Sequence, residues 1–140
     1  MNFRSILIES FNKYPPIVKT FGMELSIDED DNAIITLPYN PNLDHGEGAI
    51  HGGAIATILD NAGFFTSALA TNEIVTTSEI SFHLLRPAKK VKLIAKGKLL
   101  KVGKTLVITE MDCKDENGIL IAHATGTYLR LNRKKLEKSE

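Results

Sequence analysis

The sequence predicts an α+β fold in which a mostly antiparallel sheet wraps one long central helix. Two patterns carry that expectation. Across 49–72 the chain is apolar and small, and Asp60 is its only formal charge, leaving His51 aside. Behind that run come four consecutive segments of alternating or β-branched residues, reaching Leu131. A length of 140 residues suits one hydrophobic core. Residues 1–131 read as one domain with an N-terminal helix, and 132–140 as a charged tail.

The elements follow in order. Phe3, Ile6, Leu7 and Phe11 recur at helical spacing, and Pro15-Pro16 stops that helix. Residues 23–27 alternate as a strand. The charged stretch 28–32 is a turn, and 33–37 is a second strand closed by Pro38. Residues 41–48, rich in Pro, Asn, Asp and Gly, form a loop. The central helix is expected over about 53–70. At 100° per residue, Ile55, Ile58, Leu59, Ala62, Phe65 and Leu69 form the core stripe. Gly53, Ala56, Thr57, Asp60, Phe64 and Ser67 fall opposite. That second face carries no Lys or Glu, so it too is expected to be covered, which predicts a dimer. Ile80, Phe82 and Leu84 then alternate with Glu79, Ser81 and His83. Val91, Leu93 and Ala95 alternate with Lys92, Ile94 and Lys96. Residues 105–113 are β-branched, and 119–131 alternate to the end. Turn chemistry at 101–104 and 114–118 separates them.

Composition narrows the function. Lys plus Arg and Asp plus Glu each total 17, so the chain lacks the basic excess of a nucleic-acid binder. The single Cys113 rules out an intrachain disulfide framework and fits a reducing, cytoplasmic setting. The first residues lack the long apolar core of a secretory signal. His51, Asp60 and Asn61 argue against a membrane span over 49–72. Four scattered histidines do not make a metal set, so no metal or other cofactor is expected. Gly46-Glu47-Gly48 lacks the Lys-Ser/Thr ending of a phosphate loop. No Gly-x-Ser-x-Gly elbow is present either, which removes a serine hydrolase.

Asp60 is the chemical question, since a carboxylate in an apolar run is costly unless paired or used. His51-Gly52-Gly53, with Asp60 nine residues after the histidine and Asn61 beside it, resembles the hotdog-fold acyl-CoA thioesterases of the phenylacetate-pathway type. Three later segments resemble the same family in the same order. They are Thr77-Ser-Glu-Ile-Ser-Phe-His-Leu-Leu-Arg-Pro-Ala88, Gly103-Lys104-Thr105, and Gly118-Ile-Leu-Ile-Ala122-His-Ala-Thr-Gly126-Thr. The resemblance spans roughly 21–131. It implies a hotdog fold, hydrolysis of acyl-CoA to free acid and CoA, and a homodimer or a tetramer of the same chain.

It also implies roles. Gly52 and Gly53 would open the helix with N–H groups facing the thioester carbonyl, a site that unpaired helix-terminal donors suit. Asp60 would act as general base or nucleophile across the dimer interface. Thr77 would orient the water or the carboxylate, and His51 would hold the loop at the helix start. The family's Asn, a second carbonyl contact, is replaced by His45, whose neutral ring can donate one hydrogen bond. Asn42 lies three residues earlier and would enter only after a loop rearrangement. Asn61, Phe64 and Phe82 are candidates for the substrate pocket. Arg86, Lys89, Lys90, Lys101 and Lys104 read as a cluster for the phosphates of CoA. Two other readings stand beside hydrolysis. A non-catalytic acyl-CoA-binding module has Asp60 against it. A dehydratase fits poorly, because His51 and Asp60 are nine apart on a helix.

Overall fold

The computed structural model describes residues 2–131; the expected tail at 132–140 lies outside them. Helix α1 (Phe3–Lys13) starts at Asn2, whose side chain caps the N–H of Ser5, and it buries Leu7 and Phe11. A second helix, α2 (Pro16–Phe21), was not expected from the sequence. The proline pair that ends α1 also starts α2, because Pro16 occupies a first-turn position whose N–H has no partner anyway. Gly22 ends α2 in the left-handed region at φ 74°.

Strands β1 (Glu24–Ile27) and β2 (Ala33–Leu37) form an antiparallel hairpin. Asp28 ties its turn, accepting from the N–H groups of Asp30 and Asn32 and pairing with Lys96 at 3.0 Å. Burial opposes the Asp28 charge, but the Asn32 N–H, the Lys96 ammonium and the Asn32 amide hold its carboxyl down to about 2. A folded value below the unfolded one stabilises the fold above about pH 4, and that contribution is lost as pH falls toward 2. Asp28→Asn is therefore expected to be less stable than wild type at pH 6 in urea unfolding, with the gap shrinking near pH 2. An equal gap at both pH values would refute this linkage.

After a short 3-10 turn (Pro41–Leu43) comes the central helix α3 (Gly52–Thr71). It is followed by β3 (Val75–Leu84), β4 (Leu93–Val102), β5 (Leu106–Asp115) and β6 (Leu120–Arg130). All neighbouring strands are antiparallel, in the order β1-β2-β4-β5-β6-β3. The sheet curls round α3, which packs on β2 through β6. Ile55, Ile58, Leu59, Ala62 and Phe65 meet Ile35, Leu37, Leu93, Ala95, Met111 and Ala124 in one buried core. This is the expected α+β, hotdog arrangement.

Two details differ from the expected pattern. β4 runs past Lys96 to Val102, because a bulge between Leu99 and Lys101 breaks the alternation that marks a strand in sequence. Ser67, placed by helical periodicity on the second face of α3, is fully buried, and its hydroxyl donates to Gly63 O at 2.8 Å. The rest of that face is only partly covered: Gly53 is exposed, and Ala56, Thr57, Asp60 and Phe64 are half-buried.

β3 lies at the edge of the sheet and pairs only with β6. A bulge between Thr77 and Glu79 shifts its register. Thr77 stands opposite the buried Tyr128, and Ile80, Phe82 and Leu84 stand opposite Gly126, Ala124 and Ala122. Without the extra residue, Thr77 and Ile80 could not both face the helix.

Candidate active site

Asp60 lies two turns into α3, facing the edge strand. The Thr77 hydroxyl donates to Asp60 Oδ1 at 2.8 Å. The Tyr128 hydroxyl reaches the same oxygen at 3.2 Å and the Asp60 carbonyl oxygen at 3.1 Å. Among the described residues, no group donates to Oδ2. One carboxylate oxygen is thus held from the sheet while the other is left open on a half-buried face. Tyr128 is fully buried, and that burial, with the Asp60 charge beside it, pushes its phenol up. It remains a proton donor. Sequence reasoning missed Tyr128, since an inward aromatic on an alternating strand reads as core.

At the start of α3 the two glycines are not equivalent. His51 is the N-cap, and its Nδ1 accepts the Gly53 N–H at 2.8 Å. That bond leaves the His51 ring proton on Nε2. It also removes Gly53 as an oxyanion donor, because its only N–H is already engaged. Ala54 and Ile55 donate to the His51 carbonyl. Among the described residues, only Gly52 of the two glycines keeps an N–H without an acceptor.

Beside Gly52 opens a groove of about 250 Å³, lined by His45, Ile50, Ile55, Leu84, Leu85 and Arg86 among others. A Cβ at Gly52 would stand 2.6 Å from Leu84 Cδ1, so a side chain there would have to push the exposed end of Leu84 aside. His45 Nδ1 accepts the Glu47 N–H at 3.0 Å, which places the ring proton on Nε2. His45 and Gly52 both line that groove, and each keeps one N–H that no described residue accepts. The apolar lining from Ile50, Ile55, Leu84 and Leu85 was not singled out in the sequence; these residues converge from the helix, the loop before it and the end of β3.

Other expected site residues lie elsewhere or are engaged. Asn42 is exposed on the 3-10 turn and does not line the groove. The Asn61 amide is turned back onto its own helix and donates to Thr57 O at 2.8 Å. Phe64 packs edge-on against Phe65 and Tyr128, with centroids 5.0 Å and 6.5 Å away. Phe82 stands on the inner face of β3 and is 37% exposed. The basic cluster separates into two. Arg86 lines the groove, with the exposed Lys89 and Lys90 just beyond it. Lys101 and Lys104 belong to the hairpin of β4 and β5 at the other end of the sheet. Arg86 N–H meets Ile121 O while Arg130 N–H meets Thr105 O. The length of β6 between those contacts is about 30 Å, so one chain does not join Lys104 to Arg86.

Cys113 is buried in β5, in the core, and burial together with Asp112 and Asp115 pushes its thiol up to about 12, which disqualifies it as a nucleophile. Among the described residues, no group of three His, Cys, Asp or Glu is placed to hold a metal ion. None of their helices is long and apolar enough to cross a membrane.

Known proteins bear on this arrangement. A Saccharolobus solfataricus protein, SSO2140, named provisionally as an esterase, is 30% identical over 128 residues, covering 90% of this chain and 91% of its own. The medium/long-chain acyl-CoA thioesterase YigI of Escherichia coli K12 is 27% identical, covering 86% of this chain and 89% of its own. The PaaI protein of the E. coli phenylacetic acid degradation operon has a solved structure that superposes with a TM-score of 0.80 at 18% identity. That match covers 93% of this chain and 94% of PaaI. The profile of the thioesterase superfamily matches residues 47–122, more than half the sequence, taking in all of α3 and β3 and the groove lining apart from His45. On that match, and on a six-stranded antiparallel sheet curled round one long helix, the chain belongs to the thioesterase superfamily and has its hotdog fold.

Proposed function

We propose that this protein is an acyl-CoA thioesterase whose active site is shared between two copies of the chain. The observation that carries the proposal is Asp60: a carboxylate on an apolar helix, with Oδ1 held by Thr77 and Tyr128 and Oδ2 open. Gly52 and His45 add donors beside an apolar groove. In the reaction, Asp60 takes a proton from water as it attacks the thioester carbon, or attacks that carbon itself to form an anhydride that water then opens. Gly52 N–H, with His45 Nε2–H, receives the charge that builds on the carbonyl oxygen, and the CoA thiolate departs.

Distance within one chain supports the sharing. Gly52 and Asp60 are eight residues apart on α3, about 12 Å along its axis. No single carbonyl reaches both. The partly covered second face of α3 and the unpaired edge of β3 lie together, with Phe82 and Leu84 exposed at 37% and 47%. Natural sheets rarely leave so long and apolar an edge open. A second copy pairing antiparallel along β3 would bring its Asp60 end to the Gly52 end of the first. The same reversal would carry one chain's Lys104 toward the other's Arg86, where basic groups suit the phosphates of CoA. We assign the reaction to the cytoplasm, on the free, buried Cys113.

A hydrolysis screen tests the activity. The purified protein is expected to release free thiol from at least one acyl-CoA in a series of short, medium, long and aromatic acyl groups. A folded dimer that turns over none of them would overturn the proposal.

A further inference from the structure

We propose that Tyr128 is a positioning residue for Asp60, and that Gly63 and Gly126 are glycines because Tyr128 needs their space. The inference rests on reading Asp60 as the reacting carboxylate. Tyr128 stands on β6, and its ring lies back over Gly126: a Cβ there would be 2.7 Å from both Cε2 and the hydroxyl oxygen. The hydroxyl then passes beside Gly63 on α3, one turn beyond Asp60. A Cβ on Gly63 would overlap that hydroxyl and approach Thr109 Oγ1 and Met111 Sδ to 2.8 Å. Two elements thus give up a side chain so that one phenol can cross the core to Asp60.

The contact has two acceptors for one proton. The hydroxyl lies 3.1 Å from the Asp60 carbonyl oxygen and 3.2 Å from Oδ1. While Asp60 is charged, the proton is best placed on the carboxylate. Once Asp60 has accepted a proton or an acyl group, the hydroxyl can turn to the carbonyl. A buried donor is therefore never orphaned during the cycle, which would cost as much as a lost hydrogen bond. With Thr77 on the same oxygen, Tyr128 keeps Oδ1 occupied and the reacting electron pair on Oδ2. The high-lying phenol remains protonated throughout and serves only as a donor.

Three variants test the inference, each assayed as folded dimer. Tyr128→Phe keeps the ring and removes the hydroxyl; kcat is expected to fall about tenfold with KM within about twofold. Gly63→Ala pushes the hydroxyl off Asp60 and is expected to match that loss, although alanine is the better helix former. The double variant is expected to be no slower than either single, because both act through one hydroxyl. Defects that multiply to about a hundredfold would overturn the role of Gly63. A Tyr128→Phe kcat within about twofold of wild type would overturn the positioning role, and it decides that point even if Gly63→Ala does not fold. Asp60→Asn is the control that separates the two readings. If Asp60→Asn retains full activity, the thioesterase assignment of Asp60 falls; if it is dead while Tyr128→Phe is normal, only the present inference falls.

Discussion

Asp60→Asn is expected to lower kcat by about a hundredfold or more while the protein stays folded and KM changes little. The asparagine oxygen can still accept from Thr77 and Tyr128, which in the native protein bond Oδ1 at 2.8 and 3.2 Å. What disappears is the negative charge and the free oxygen, since an amide nitrogen now stands where Oδ2 stood. The loss therefore reports chemistry rather than architecture. Replacing a half-buried charge by a neutral isostere should leave thermal stability equal or higher. The check is steady-state kinetics on acyl-CoA beside a circular-dichroism melt. Near-normal turnover by a pure variant would remove Asp60 from the mechanism.

The second large effect is expected at Gly52. Proline there deletes the one free N–H at the first residue of α3, where its backbone is well accommodated. Its Cβ displaces the exposed Leu84 side chain, so Gly52→Ala, which brings the same Cβ and keeps the N–H, is the control for that displacement. His51 before it already has ψ 136°, the extended setting that proline demands of its predecessor. Gly52→Pro is expected to fold and to lose about a hundredfold or more in kcat, the usual cost of removing an oxyanion donor. Coexpression with Asp60→Asn then reads out the shared site. Each variant alone is nearly inactive. A mixed dimer holds one intact site, made from Gly52 of one chain and Asp60 of the other, so a random mixture should regain about a quarter of wild-type activity. A mixture that stays as inactive as its components would show that each chain works alone.

Much of this was legible in the residue pattern. A helix with one charge among small and apolar residues announces itself, and strands that alternate do too. What was hidden had a geometric cause in each case. α2 was missed because the proline pair is both a stop and a start. The loss of Gly53 as a donor depends on the His51 ring folding back onto the next turn, a rotamer no spacing reveals. Tyr128 lies 68 residues from Asp60 in sequence, and only the β3–β6 pairing and the curl of the sheet bring them together. The basic residues near 86–90 and 101–104 look adjacent because strand length does not show in a list of charges. Thr77 is the most instructive. Plain alternation would have put it on the same face as Glu79 and Ser81, away from the helix; only the family likeness pointed to it, and the bulge explains why it faces inward.

That bulge also limits how the gene for such a protein can change length. Surface turns accept insertions and deletions because nothing beyond them depends on parity. In β3 the count between Thr77 and Ile80 is a phase relation joining two halves of one strand. Losing a single codon at Ser78 would leave a strand just as able to hydrogen-bond to β6, yet one half would turn its side chains to the opposite face. Either the hydroxyl of Thr77 would leave Asp60, or Ile80, Phe82 and Leu84 would be presented to solvent. Substitutions along this strand can be absorbed one at a time, but its residue count behaves as a single all-or-none character.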